Sequence, residues 1–265
     1  MSETIDLSGR RALVTGAGRG IGRGIAHRLA AAGCHVAVND IDPTTAERTA
    51  AEVAALGRRS AAIPGDLARV ADVHDVCDRA ADALGGVDIL VNNAGVSLCR
   101  AIVDCTEEDW DRHLDVMAKA TFLTMRRLAP AMMARGWGRI VNLGSYVAQM
   151  NSTTRFFGPY CAAKFAIVGL TQVAAQEFAP SVTVNAVGPG DVDTEMMARE
   201  WEVEGERRAM DPAAVKEEYR RRLLLGRFER PDDIAGAVLF LCSPLGDQVT
   251  GSHLIVSGGL PFRAA

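Results

Sequence analysis

Short apolar runs alternate along the chain with longer stretches in which apolar residues return at helical spacing. The runs Arg11–Thr15, His35–Asn39, Ser60–Pro64, Val87–Val91, Arg139–Leu143, Val182–Val187 and His253–Val256 read as strands. Several are apolar on both faces, as strands of a parallel sheet covered on each side by helices should be. Ala-rich segments of helical length, Gly22–Ala32, Thr44–Leu56 and Val70–Leu84, lie between the first four. Strand–helix alternation predicts a doubly wound α/β parallel sheet with right-handed crossovers. No repeat, low-complexity tract or Ser/Gly linker interrupts it, so the 265 residues read as a single domain.

One stretch breaks the rhythm. Glu195–Arg227 is charged, yet it carries Met196, Met197, Trp201, Met210 and Tyr219. Asp211-Pro212 within it reads as a helix start. Apolar side chains set among charges suit a lid over a pocket, and suit a plain outer pair of helices equally well.

Composition narrows the function. A net charge of -4 and a pI near 5.8 leave no basic excess for a nucleic-acid surface. No run approaches the length of a membrane span, and Met1–Arg10 lacks a basic-then-apolar signal pattern, which leads us to expect a cytoplasmic protein. The six cysteines are scattered, none in C-x-x-C and none beside clustered histidines, so no metal site is expected.

The first strand runs into Thr15-Gly16-Ala17-Gly18-Arg19-Gly20-Ile21-Gly22, and a helix follows at once. Glycines there permit a tight turn and let backbone N–H groups approach a pyrophosphate at a helix N-terminus. The spacing is T-G-x-x-x-G-x-G rather than G-x-G-x-x-G. The second strand ends at Asn39-Asp40. An acid there can accept hydrogen bonds from the adenosine ribose and repel a 2′-phosphate, which favours NAD over NADP. Arg19 pulls the other way, but no second cation follows Asp40, whose neighbours are Ile41 and Asp42.

Tyr160 and Lys164 stand four residues apart in a helix-like stretch and so share a face. An ammonium there is expected to lower the phenol toward working pH and make Tyr160 a catalytic acid/base. Taken alone the pair reads as an ordinary surface Tyr/Lys pair. Ser145, after the fifth strand, lies where ligands bind in such sheets.

Together these pieces resemble the classical short-chain dehydrogenases/reductases, from about Gly9 to Gly259. The matching stretches are Thr15–Gly22, Asp66-Leu67, Asn92–Gly95, Gly144-Ser145, Tyr160–Lys164, Pro189-Gly190 with Thr194, Arg230–Ile234 and Gly258-Gly259. The resemblance implies a Rossmann-type fold and a catalytic set of Ser145, Tyr160 and Lys164. It implies that Gly16, Arg19 and Ile21 line the pyrophosphate turn and that Asp40 and Ile41 hold the ribose. Asp66 and Leu67 would meet the adenine, with Asn93 nearby. Tyr160 and Lys164 would also touch the nicotinamide ribose, and Pro189, Val192 and Thr194 would fix the nicotinamide end. A homotetramer is implied, with the helix after Pro231 and the last strand in one interface.

Three departures stand out. Val116-Met117-Ala118-Lys119-Ala120-Thr121-Phe122 carries Met117 where the family usually has an asparagine thought to hold a proton-relay water, and a thioether is a poor hydrogen-bond partner. The Ser145–Tyr160 interval, with Arg155-Phe156-Phe157, is long. The join at Ala179-Pro180-Ser181 is short. The expected activity is NAD(H)-dependent hydride transfer between a secondary alcohol and a ketone, with a small-molecule substrate such as a polyol or sugar alcohol. The alternatives are a 3-oxoacyl thioester reductase and a dinucleotide-binding regulator without turnover.

Overall fold

The computed structural model of the chain describes residues 5–149 and 154–260. Part of the N-terminal stretch read for a signal, and part of the long Ser145–Tyr160 interval, lie outside them. Seven parallel strands form one sheet in the order β3-β2-β1-β4-β5-β6-β7. They are β1 (Arg11–Val14), β2 (His35–Asp40), β3 (Ser60–Pro64), β4 (Ile89–Asn92), β5 (Gly138–Leu143), β6 (Val182–Pro189) and β7 (His253–Val256). This is the predicted doubly wound architecture, and its strand order reverses between β1 and β4. A crevice must open there above the carboxyl ends of the strands.

Side-chain alternation along each strand feeds two cores. Ala12, Val14, Val36, Val38, Ile89, Val91, Val141 and Leu143 face α1 (Gly20–Ala31), α2 (Pro43–Ala55) and α9 (Pro231–Cys242). Leu13, Ala37, Leu90, Ile140 and Val184 face α3 (Val70–Leu84), α5 (Ala120–Ala134) and α6 (Gly158–Glu177). These inner strands are thus covered on both sides, which is why their sequences lack polar alternation.

Local chemistry sets the boundaries. Asp42 accepts a hydrogen bond from the Thr44 N–H at 2.9 Å and Pro43 opens α2, as Asp-Pro should. β4 begins at Ile89 rather than Val87, because Asp88 is drawn to Arg11 through Nε at 2.7 Å and Nη2 at 2.6 Å. Between α4 (Glu107–His113) and α5 the helix passes through a π turn, Leu114–Lys119, where Met117 is fully buried.

Below the crevice, buried side chains are linked by hydrogen bonds from helix to sheet to helix. Thr124 Oγ1 on α5 donates to Asn92 Oδ1 at 2.7 Å. Asn92 Nδ2 donates to Asn142 Oδ1 at 2.9 Å, and Asn142 Nδ2 donates to Thr171 Oγ1 on α6 at 2.9 Å. Asn92 and Asn142 are register partners in β4 and β5.

The irregular stretch folds as α7 (Glu195–Arg208) and α8 (Pro212–Arg221), with Asp211 capping α8 through the Ala213 N–H at 2.7 Å. These helices close a small core of their own with Trp201, Val215, Leu223, Phe228 and Leu260, in which the Trp201 and Phe228 rings lie 5.0 Å apart.

Candidate active site

A cavity of about 380 Å³ opens at the switch point, large enough for an organic ligand. Every site residue singled out in the sequence lies on its wall. Gly16, Arg19, Ile21, Asp40, Ile41, Asp66, Leu67 and Asn93 line one part, and Ser145, Tyr160, Lys164, Pro189, Val192 and Thr194 the other.

The glycine turn is built for close approach. Gly16 has φ +59° and its missing Cβ would sit 2.8 Å from Ala94 Cα. The turn is clamped from just beyond β4, where Asn93 Nδ2 donates to the Thr15 and Gly16 carbonyls at 2.8 and 2.9 Å. The Asn93 amide nitrogen is therefore committed to holding the turn. Arg19, which precedes α1, supplies no side-chain cap, so the helix opens into the crevice with its first N–H groups uncapped by it.

Asp40 is buried at the end of β2, and its Oδ2 accepts from the Gly18 N–H at 2.8 Å. That bond ties the acid to the turn. Arg19 points elsewhere: its guanidinium lies 3.6 Å from the Glu195 carboxylate on α7. Arg48 is also engaged, donating to the Gly18 carbonyl at 3.0 Å.

At the other end, α6 presents Tyr160 and Lys164 on one face. The Lys164 amine is buried, donates to the Leu143 carbonyl at 2.7 Å, and lies 5.5 Å from the Tyr160 ring centroid. Burial lowers its pKa to about 8. The Tyr160 phenol departs from expectation. Burial raises it above its ordinary value, and the facing Ser145 hydroxyl opposes this without overcoming it. The predicted downward pull of the ammonium is not what governs the phenol: the amine sits over the ring, and desolvation dominates.

Met117 packs with Val116, Ala163 and Ile167 against the partly buried Tyr160 and Val96. The position where the resemblance leads one to expect an amide is thus an apolar seal.

Sequence reasoning overlooked several groups on the wall: Ser97, Tyr146, Thr154 and Glu200; Tyr219, read from sequence as part of the lid-like stretch, is there too. The Ser97 hydroxyl stands by the Glu200 carboxyl and favours its charged form. Burial, with Asp191 nearby, raises its pKa to about 7. The available signal was its place one helical turn after Met196, an acid interrupting the apolar face of α7.

Comparison with known proteins agrees with this geometry. The family model described as "Enoyl-(Acyl carrier protein) reductase" matches residues 16–261. A short-chain dehydrogenase/reductase of Armillaria gallica is 38% identical over 266 residues, spanning 99% of this chain and 100% of the relative. The chain belongs to the short-chain dehydrogenase/reductase family. An L-2,3-butanediol dehydrogenase of Corynebacterium glutamicum is 36% identical over 262 residues, covering 95% of this chain and 98% of its own. A solved 7α-hydroxysteroid dehydrogenase, complexed with NADH and 7-oxo glycochenodeoxycholic acid, superposes with a TM-score of 0.87 at 31% identity, over 98% of this chain and 97% of that one. Short-chain dehydrogenases/reductases bind a nicotinamide dinucleotide. The residues present fit one: a turn with no room for a Cβ at Gly16, a helix opening toward the crevice, and an anchored acid at the end of β2.

Proposed function

We propose that this short-chain dehydrogenase/reductase is an NAD(H)-dependent alcohol dehydrogenase/ketone reductase acting on secondary alcohols and their ketones, with polyols and sugar alcohols as the candidate substrates. The observation that carries the reading is one cavity with Asp40 at one end and Ser145, Tyr160 and Lys164 at the other.

Asp40 favours NAD. It is held in place by the Gly18 N–H, while Arg19 is drawn toward Glu195, away from any 2′-phosphate beside Asp40. Gly16, Arg19 and Ile21 take the pyrophosphate turn, Asp40 and Ile41 the ribose, and Asp66 and Leu67 the adenine. Asn93 acts by clamping the turn. Pro189, Val192 and Thr194 take the nicotinamide end.

The bound nicotinamide supplies or accepts the hydride. Ser145 positions the substrate oxygen beside the Tyr160 hydroxyl. A phenol kept protonated by burial is set to donate to a carbonyl oxygen, and it takes the proton back from an alcohol in the reverse direction. Lys164, largely cationic at neutral pH, holds the nicotinamide ribose and stabilises the phenolate left when Tyr160 gives up its proton.

The α7–α8 segment serves as the lid over the substrate. Its inner face reaches the cavity through Met196, Met197, Glu200 and Tyr219. We assign the protein to the cytoplasm as a homotetramer. In support of assembly, β7 is an edge strand whose Leu254 is 37% exposed. Replacing Tyr160 by Phe tests the reading. NADH formation from a panel of secondary alcohols should fall by at least about a hundredfold while NADH affinity, read by fluorescence, stays within a few-fold. Unchanged turnover would refute the assignment of Tyr160.

A further inference from the structure

We infer that Glu200 is the specificity-determining residue of the substrate pocket: its carboxyl selects neutral substrates carrying a second hydroxyl or carbonyl and turns away those carrying a carboxylate. The inference rests on the proposed alcohol/ketone chemistry and deepens it to a substrate class.

Glu200 stands on the inner face of α7, on the same cavity wall as Ser145 and Tyr160. It shares that cavity with Tyr160 and is near enough for its charge to act on the phenol, so we place the far end of a substrate held at Tyr160 beside this carboxyl. The groups around it come from four other elements. They are Ser97 after β4, Asp191 after β6, Tyr160 on α6 and Tyr219 on α8, with Cys99 also within electrostatic reach. Hydroxyls, a thiol and a second acid make up this set.

Cations on the surrounding helices are committed elsewhere, apart from Arg199, which is exposed on α7. Arg207 holds Glu204, Arg208 and Arg222 hold Glu218, Arg220 holds Glu217 and Lys216 holds Asp193. On the cavity wall itself, Arg19 lies against Glu195, Lys164 is bonded to the Leu143 carbonyl, and Arg112 stands exposed on α4. A carboxylate brought to Glu200 meets like charge and hydroxyls. A hydroxyl brought there meets a group able to donate and accept, since burial keeps Glu200 partly protonated near neutral pH. Relatives of similar identity do not decide the matter. One is named for a neutral diol, and another was solved with an acid-bearing steroid.

The test uses two four-carbon alcohols, 2,3-butanediol and 3-hydroxybutyrate, with the unmodified protein and Glu200→Gln. Turnover is followed as NADH formation, and binding to the NADH complex is measured by calorimetry, from pH 6 to pH 8.5. The unmodified protein should bind the diol at least about tenfold more tightly at pH 8.5, where two facing carboxylates repel. That ratio should shrink as pH falls through about 7 and Glu200 takes up its proton. Glu200→Gln keeps a hydrogen-bonding group of the same shape without the charge. It should retain the diol and show a smaller ratio that does not change with pH. Tighter binding of the hydroxy acid, equal binding of the two, no binding of either, or the same pH-dependent ratio in Glu200→Gln would overturn the assignment. Absence of turnover on both compounds and on a wider alcohol panel would overturn the alcohol/ketone reading instead, and the calorimetric ratio would still decide the role of Glu200.

Discussion

Lys164 is a cation in a place that disfavours cations, and the cost should be measurable. Its side chain is 5% exposed. Burial brings the pKa from 10.5 to about 8. At about 1.36 kcal/mol per unit, keeping the amine charged in the folded state costs on the order of 3 kcal/mol. Below pH 8 the amine is charged in both the folded and the unfolded chain, and the cost is fully present. Between about 8 and 10.5 the unfolded chain still holds a proton that the folded one has released, so stability rises with pH. Above both values the cost is gone. Lys164→Met has similar bulk and no titration. Urea unfolding of both proteins from pH 7 to pH 10.5 should therefore give a stability difference that shifts toward the native lysine by about 3 kcal/mol across that window. Loss of the hydrogen bond to the Leu143 carbonyl offsets the two curves equally at every pH. Repeating the pair on a Tyr160→Phe background removes the neighbouring phenol from the comparison. A flat difference, or one moving the other way, would refute the idea that burial governs this amine.

Other changes have equally definite outcomes. Asp40→Asn keeps an acceptor for the Gly18 N–H and removes the charge. Even a screened repulsion of about 2 kcal/mol implies that the NADP-to-NAD ratio of kcat/KM rises roughly 30-fold, as initial-rate kinetics with each cofactor would show. Gly22→Ala puts a Cβ against the Gly16 carbonyl and 2.5 Å from Asn93 Nδ2. We expect a loss of about 1–3 kcal/mol of stability in denaturant titrations and weakened NADH binding by fluorescence, because the turn must open. Met117→Asn buries an amide beside Ala163 and Ile167, and a lower melting midpoint should follow, by an amount reflecting roughly 1–3 kcal/mol. Its kcat with a secondary alcohol should nonetheless rise, because an amide can hold a water near Lys164 and a thioether cannot.

The sheet was legible because its strands are apolar on both faces, and His253–Val256 and Ser60–Pro64 have the ends read from pattern alone. Boundaries moved where polar residues carry tertiary bonds, as at Asp88, or where a strand runs into the site, as β6 does to Pro189. The π turn at Met117 left no periodic trace, since one extra residue per turn over six residues is too little to shift a pattern. Site residues in glycine-rich or i,i+4 motifs were readable because spacing carries the geometry. Glu200, Ser97 and Thr154 were not, for they come from three separate segments and meet on one cavity wall only in the folded chain. The phenol was misjudged for a related reason: helical spacing places the ammonium on the same face as Tyr160, but burial depth is a property of the whole cavity.

The chain of bonds Thr124–Asn92–Asn142–Thr171 has a consequence for how such a protein can change. It pins α6, the bearer of Tyr160 and Lys164, to the strands at one rotational and axial setting. Sliding the helix by a single turn would strand several interior amides and hydroxyls at roughly 1–3 kcal/mol each. Tyr160 and Lys164 are thereby bolted down, whereas Met196, Met197, Glu200 and Tyr219, which line the same cavity, hang from α7 and α8, outside both main cores. On the proposed function, new substrate preferences can accordingly be grafted by rewriting α7 and α8, with Tyr160 and Lys164 left in alignment.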